Sequence, residues 1–543
     1  MAKRYRAVDR DQAFLFPPDM REWLPADHPV HLVIRVVEDH LDTSAFHAGR
    51  RTGGAGTAGY DPDMLVTVLV WAYAHGVTSS RRMEELCATD VAFRLICAGN
   101  LPDHVTFARF RKDFAGAAGE FFAQVLILCA RLGMGRLGTV ALDGMKIAAS
   151  ASKAANRGEG KLRELAERAV AAHAAADAAE DELYGEGRRG DEVPPEAWSP
   201  RRRDERIRAA LADLEAERKA AERAEAERAE AFRERQRTGQ RTGRAPGPAE
   251  VELAEENLAR VRAARAAELE ELEDRYAAGQ PRRGRAARVD DYCRVREAQA
   301  KVEAARARAA AAAAREAARK GPGPVRNITD PDSRLMPVRG GGFIQGYNAQ
   351  NMTSEDELVI ATELTDDPVD CEWFEPMLGQ AQDAAALIEA HRPAGGAGPD
   401  PAGQDHGGSG TGIGLALADA GYCSEANLTC PGPDRLIAVG RHRDLEKAAR
   451  GQDGAGPGWG GPAVQAMRER LKTEDGITAY RQRGHIAETP HGHIKHNMGI
   501  RQLSMRGKPK ASAEWKFICA VHNLFKALAA GHLTSQALAA LAS

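Results

Sequence analysis

Apolar and polar residues recur with different periods in successive parts of the chain. Apolar residues have helical spacing in the stretches at 64–76 and 121–133, which predicts helices there. The pattern becomes β-like at 136–153. From about 155 to 324 Ala, Arg and Glu dominate, and β-branched and aromatic residues return from 325 onward. We therefore expect a helical first part, a separate middle segment and an α/β last part.

The middle segment predicts long, solvent-exposed helices. Its Ala, Arg and Glu residues are strong helix formers, and opposite charges lie three or four positions apart. Breaks that contain Gly and Pro, at 239–248 and 279–285, divide it into shorter pieces. We expect a helical hairpin or a three-helix antiparallel insertion with a scaffolding or oligomer-contact role. A DNA-clamping arm is the alternative.

The last part of the chain alternates between strand and helix patterns. The predicted elements are, in order, a β-hairpin with strands at 343–351 and 357–364, a helix at 372–392, a strand that ends at Asp419, a short helix near 424–428, a strand at 435–440, a helix near 462–471 and a helix that carries Glu488. This order is typical of a layered α/β fold, in which functional residues lie at strand ends.

Composition and charge limit the classes of protein that fit. The net charge of -3 over 543 residues excludes a general polycation, so any DNA contact requires local basic patches. The eight cysteines are scattered without a C-x-x-C pair, as in the core of a protein from a reducing compartment. With no secretory signal and no long apolar run, the chain is expected to be soluble and cytoplasmic. ATP-binding, dinucleotide-binding and zinc motifs are not matched.

Three widely separated carboxylates stand in informative contexts. Asp143 and Asp419 each close an apolar run, so we expect both at strand ends, and Glu488 lies among basic and His residues. Taken singly, each Asp is more typical of a turn or a helix N-cap, and an exposed helical Glu is common. If the strands pair, the three could converge as oxygen ligands for hard divalent cations. The spacing also allows an alternative: Glu488 and Lys495, at positions i and i+7 of one helix, could belong to a solvent-exposed face of salt bridges.

Several motifs around these acids resemble those of bacterial insertion-sequence transposases of the DDE type. The similar segments are LDGMKIAASASK (142–153), TDPDSRLM (329–336), QGYNAQ (345–350), ADAGYCSEANL (418–428), the element formed by Tyr480, Arg483, Glu488 and Lys495, and EWKFICAVHNLFKAL (514–528). The resemblance covers about 1–155 and 325–530. Two departures are present: four residues, in place of the commoner three, separate Arg483 from Glu488, and His491 stands where relatives carry an apolar or aromatic residue.

The resemblance implies an α/β RNase H-like catalytic core, a mixed sheet with helices on both faces. An all-α N-terminal domain would precede this core, and a helical or coiled-coil insertion would interrupt it. The implied domains are 1–135 (helical, DNA-end binding), 136–154 with 325–530 (catalytic), 155–324 (inserted helical hairpin) and 531–543 (C-terminal tail).

The resemblance also implies an activity. Asp143, Asp419 and Glu488 would hold two Mg²⁺ ions, with Mn²⁺ as a substitute, for hydrolysis at the ends of a mobile element and transfer of the freed 3′-hydroxyls into target DNA. The implied partners are double-stranded DNA, as terminal inverted repeats and target, and a second copy of the chain in a nucleoid-associated homodimer. The alternatives are a metal-dependent DNA nuclease without strand transfer, or a helical DNA-bridging protein that is an inactive copy.

Basic residues supply the candidate DNA contacts. Near the acids, the resemblance implies that Arg483 and Lys495 contact DNA phosphates, with Tyr480 beside them, and Lys146 is a further candidate. A basic run that includes Arg501, Arg506, Lys508 and Lys510 follows. In the N-terminal part, Arg109, Arg111 and Lys112 lie on a predicted short helix that fits a helix-turn-helix reader of terminal repeats. A plain exposed loop and a helical bundle with solvated arginines are the respective alternatives.

Overall fold

The computed structural model describes residues 19, 22–47, 59–168, 200–238, 249–281, 286–318, 324–338, 341–393, 412–440 and 460–542. The chain divides into two compact units. Unit 1 comprises Met1–Ala155 and Thr329–Ser543, and unit 2 comprises Asn156–Ile328. The bounds of unit 2 are close to those of the expected insertion. The helix breaks expected at 239–248 lie outside the described residues.

Eight strands and sixteen α-helices are described. The strands are β1 (Thr139–Ala148), β2 (Asn156–Gly158), β3 (Val325–Asn327), β4 (Arg334–Pro337), β5 (Phe343–Ser354), β6 (Val359–Thr365), β7 (Leu415–Ala418) and β8 (Asp434–Ile437). The helices are α1 (Pro29–Arg35), α2 (Ser44–His47), α3 (Pro62–Ala74), α4 (Ser80–Thr89), α5 (Val91–Ile96), α6 (His104–Asp113), α7 (Ala118–Arg131), α8 (Pro200–Arg237), α9 (Ala249–Ala277), α10 (Cys293–Ala318), α11 (Phe374–His391), α12 (Glu425–Thr429), α13 (Pro462–Arg470), α14 (Glu474–Gly492), α15 (Lys508–Ala529) and α16 (Ser535–Ala542).

A mixed six-stranded sheet forms the centre of unit 1. Strand β5 pairs antiparallel with β1 on one side, and with β4 and β6 on the other. On the far side of β1 the sheet continues in parallel through β7 and then β8. Buried apolar side chains of β1 and β7 fill the core, which explains why these short sequences form central strands. The expectation of a mixed sheet with helices is confirmed.

Helices cover the sheet on both sides. Directly paired residues point to the same face, and successive residues point to opposite faces. Asn351 accepts a hydrogen bond from the indole N–H of Trp515 in α15 (3.2 Å), whereas the neighbouring Gln350 donates to Asp370, just before α11. Helix α15 and the segment that leads into α11 therefore lie on opposite faces.

Asp143 lies inside strand β1, and the expectation that it ends a strand is wrong. The antiparallel pairing with β5 runs from Val140 to Ala148, so its hydrogen bonds sustain β1 well past Asp143. Only the parallel partner β7 stops early, with the last pair formed by Leu142 and Ala418. Asp143 and Asp419 each follow that last pair. The β1–β7 register therefore places the two acids side by side.

Unit 2 contains a short β-ladder and three long helices. Strands β2 and β3 pair antiparallel, so the chain enters and leaves the unit at adjacent positions. Helices α9 and α10 run antiparallel and are joined by the ion pairs Glu250–Arg308 (2.7 Å) and Glu255–Arg306 (2.6 Å). The ladder was not predicted, because three-residue strands leave no clear periodic pattern.

The C-terminal tail, 531–543, contains α16, whose Leu538 side chain is fully buried. Across the described parts of the chain, no individual helix combines the length and the apolar composition needed to cross a membrane. Among the described helices, only α6 and α7, taken together as a bent pair, meet both criteria.

Candidate active site

Two of the three acids are placed by the sheet and the third by helix α14, which packs against β1. Asp419 begins a tight turn, in which its Oδ1 accepts the backbone N–H of Gly421 (2.8 Å). This fixes the carboxylate next to Asp143 on the neighbouring strand. Glu488 lies on α14 and its side chain remains 59% exposed.

The Arg483 guanidinium brings the three acids together. Its Nη2 lies 3.0 Å from Asp143 Oδ1 and 3.7 Å from Asp419 Oδ2, and its Nη1 lies 4.0 Å from Glu488 Oε1. Arg483 itself is buried. Residues 143, 419 and 488 therefore meet around one cation, although more than 270 residues separate the first from the second.

The two aspartates have opposite pKa shifts. Burial alone would raise the pKa of Asp143, but the hydrogen bond and charge of His491 and the charge of Arg483 outweigh burial and leave this pKa below its usual value. For Asp419, burial and the negative charge of Asp143 prevail over Arg483, so its pKa lies above the usual range. Burial would lower the pKa of Arg483, but Asp143 and its other anionic neighbours raise it.

The donor set fits a divalent cation. Three carboxylates offer the hard oxygen ligands that Mg²⁺ and Mn²⁺ prefer, and they converge where the structure concentrates positive charge on Arg483. Two buried nitrogens at this point, Arg483 Nε and His491 Nε2, have no hydrogen-bond partner among the described residues. The site is thus polar, charged and partly enclosed.

The helix that carries Glu488 does not continue as a regular α-helix to Lys495. Helix α14 contains Pro490 and ends at Gly492, and a π-helical turn, His493–Asn497, follows. This wider turn changes the angular spacing, so the simple i, i+7 stripe from Glu488 to Lys495 does not apply. Burial lowers the pKa of Lys495, and the negative charge of Asp143 opposes this shift. Burial also raises the pKa of Tyr480 to about 12.

The remaining candidate DNA contacts fall into two groups. Arg109 and Lys112 are exposed on α6, and Arg501 and Arg506 are exposed beyond α14. Arg506 also donates to the backbone carbonyl of Ser150 (2.9 Å). These four remain on the surface.

Two other candidates are engaged inside the protein. Arg111 donates to the carbonyl of Thr78 and to the hydroxyl of Ser504, which ties α6 to the segment before α15. Lys146 lies on the opposite face of β1 from Asp143 and forms an ion pair with Asp370 (3.2 Å). Sequence reasoning did not anticipate either partner, because both lie far away along the chain.

Two further residues at the site were not chosen from the sequence. His491 is buried and its Nδ1 lies 3.6 Å from Asp143 Oδ2. It was noted as a departure from the family pattern and was not chosen as a site residue. Asp370 lies next to the turn of Asp419, and the signal that could have revealed it is the run of acids at 366–370 directly after a strand.

Two family models match the chain. A model described as "Transposase domain (DUF772)" matches residues 18–113, and one described as "Transposase DDE domain" matches residues 461–528. The second match contains Arg483 and Glu488, whereas Asp143 and Asp419 lie outside both. No curated protein and no solved structure matches the chain. Both models describe transposases and flank the paired strands that carry the two aspartates, and together they support an insertion-sequence transposase of the DDE type.

Proposed function

We propose that this transposase cuts DNA at the ends of its mobile element by divalent-metal-dependent hydrolysis and then joins the freed 3′-hydroxyls to target DNA. Asp143, Asp419 and Glu488 are the catalytic carboxylates. The observation that carries the proposal is that one guanidinium lies within 4.0 Å of all three, although they come from three different elements.

The catalytic core is proposed to be RNase H-like. The strand order β6–β5–β1–β7–β8 supports this assignment. Strand β5 is antiparallel to both β6 and β1, whereas β1, β7 and β8 run parallel. The helices before β1, from α1 to α7, would form the preceding N-terminal domain.

The proposed mechanism assigns roles to the residues of this chain. The three carboxylates would hold Mg²⁺ or Mn²⁺, which supplies an activated water and stabilises the leaving oxygen. Arg483 would bind a DNA phosphate as a fork-shaped donor. Tyr480, three residues before Arg483, is also buried on α14. Lys495 would add positive charge beside Asp143.

DNA is proposed to extend beyond the site over the exposed arginines and lysines. Arg501 and Arg506 are suited to backbone phosphates, and Arg109 and Lys112 on α6 are candidate contacts to the terminal repeats. Because transposition joins two element ends, a nucleoid-associated homodimer is the proposed assembly.

An assay with labelled element-end DNA, target DNA and MgCl₂ tests the proposal. We expect Asp143→Asn, Asp419→Asn and Glu488→Gln each to lower the cleavage rate by more than about 100-fold, because each removes an anionic ligand of the cation that stabilises charge at the reacting phosphate. DNA binding should be retained. Glu474→Gln, an exposed acid on the same helix, is the matched control and should cleave normally.

Two results would contradict parts of the proposal. Wild-type cleavage by any of the three variants would remove that residue from the site. Cleavage without joined products, in the presence of target DNA, would support the nuclease alternative over a transposase with strand transfer.

A further inference from the structure

Asp370 lies in a polar cluster on the face of the sheet opposite Asp143. Its Oδ1 accepts hydrogen bonds from Asn348 Nδ2 (2.6 Å), Gln350 Nε2 (2.8 Å) and Lys146 Nζ (3.2 Å). Asn348 and Gln350 are fully buried on the central strand β5. A carboxylate oxygen held by three donors has a fixed orientation, and a buried cluster of this kind is strongly ordered.

The second oxygen of Asp370 faces the turn of Asp419. A Cβ placed on Gly421 would lie 2.9 Å from Asp419 Oδ1 and 3.5 Å from Asp370 Oδ2. The two carboxylates therefore flank the same glycine.

A second connection ties the cluster to the same turn. The Tyr422 hydroxyl, which is buried, donates to the side-chain oxygen of Gln350, and Gln350 donates to Asp370. Tyr422 follows Asp419 by three residues, at the end of the turn that Asp419 begins. Asp370 thus holds this turn through Gln350 and Tyr422 and also contributes charge directly beside it.

We propose that Asp370 is a fourth acidic residue of the site, a positioning residue that fixes the turn of Asp419 and increases the affinity of the site for divalent cations. Lys146 is its counter-ion. This inference rests on the proposed function. Its physical basis is that residues outside the ligand set orient the ligands, and that an added negative charge favours a cation.

Replacement of the two partners in the Lys146–Asp370 ion pair is expected to affect cation affinity differently. Asp370→Asn removes the negative charge with little change in shape, so cation affinity should fall by about 10-fold, the lower range for a residue that supports metal ligands. Lys146→Gln removes a positive charge beside Asp370, so the affinity should be equal to that of the wild type or higher. Glu372→Gln removes an exposed acid two residues from Asp370 and should change nothing.

The experiment is a titration of the full chain with MnCl₂ in the absence of DNA, with free Mn²⁺ measured by electron paramagnetic resonance. Unfolding by urea in EDTA checks that each variant is folded. In a cleavage assay, Asp370→Asn should require a higher Mn²⁺ concentration for half-maximal rate and recover at saturation, whereas Asp419→Asn should not recover.

The outcomes separate this inference from the function on which it rests. If the wild type binds no Mn²⁺, the proposed metal-dependent function fails. If the wild type binds Mn²⁺ and folded Asp370→Asn binds it equally well, only the role of Asp370 is overturned. An equal loss of affinity in Lys146→Gln and Asp370→Asn would also overturn it, because that result reflects a general packing defect.

Discussion

Arg483 is both buried and charged, so the site should be sensitive to its replacement. It is 8% exposed and lies within 4.0 Å of three carboxylates. Without a compensating cation, its removal would leave Asp143 and Asp419 as neighbouring anions in a partly desolvated environment.

We therefore predict that Arg483→Gln lowers the free energy of unfolding by about 1–3 kcal/mol, less than for a fully buried pair because Glu488 and part of Asp419 are solvated. Excess MgCl₂ should stabilise this variant more than it stabilises the wild type, because a divalent cation replaces the lost charge. Urea unfolding with and without MgCl₂ measures both effects. Arg481→Gln, at an exposed position of α14, is the control. Equal stabilisation of Arg483→Gln and wild type by MgCl₂ would count against a shared carboxylate site.

For individual residues, the sequence was sufficient to select Asp143, Asp419 and Glu488 as a set. The family resemblance grouped the three acids, which their spacing along the chain could not do. It was insufficient for Asp370 and Lys146. Their roles depend on which residues face each other across the sheet, and residue type alone does not encode that pairing. Lys146 was predicted to contact DNA, and in the structure it forms an ion pair with Asp370 that the sequence did not indicate.

The pairing of β1 with β5 is the element-level feature on which the site depends. A slip of one residue would turn Asp143 to the opposite face of the sheet. Gly346 allows the close approach of the two strands, because a Cβ there would lie 2.1 Å from the backbone oxygen of Ile147. Only a backbone shift could relieve that contact.

Gly346→Ala should therefore lower the free energy of unfolding by about 1–3 kcal/mol or more, as for other overpacked positions. The matched variant is Gly379→Ala on the exposed side of α11, where an added Cβ meets nothing within 4 Å. It should stabilise the chain by about 0.5–1 kcal/mol through helix propensity. Thermal or urea unfolding of both variants tests the contrast, and a Gly346→Ala protein as stable as the wild type would show that β1 and β5 are less closely apposed.

Most elements of the α/β part follow from hydrophobic periodicity, including the β5–β6 hairpin and the strand before Asp419. The interior position of Asp143 does not follow from it, because the apolar run stops where the parallel partner stops while the antiparallel partner continues. The π-helical turn at His493–Asn497 is also invisible to a periodic pattern, since it alters the hydrogen bonding without a matching change in residue type.

For the molecule as a whole, unit 2 is joined to unit 1 through two adjacent chain positions. Asn156 and Asn327 are paired directly across the β2–β3 ladder, and directly opposite residues in such a ladder lie about 5 Å apart. Every described hydrogen bond and ion pair of the three carboxylates, Arg483 and Asp370 is made within unit 1.

Replacement of 156–328 by a short Gly/Ser linker should leave unit 1 folded. Its free energy of Mn²⁺ binding should match that of the intact chain within about 0.5 kcal/mol, the usual range for independent regions. Calorimetric unfolding and Mn²⁺ titration of the shortened and intact chains provide the comparison. Aggregation of the shortened chain, or loss of its Mn²⁺ binding, would show that the site needs unit 2.

The position of unit 2 between β1 and β5 also affects synthesis of the protein. About 200 residues separate the end of β1 from the start of β5, so at about 5–20 residues per second the ribosome delivers the partner roughly 10–40 s after β1. During that interval the helices of unit 2, whose contacts are mostly local, can form on the nascent chain. Strand β1 meanwhile has no partner strand to pair with, and chaperone binding at this stage would protect it from aggregation.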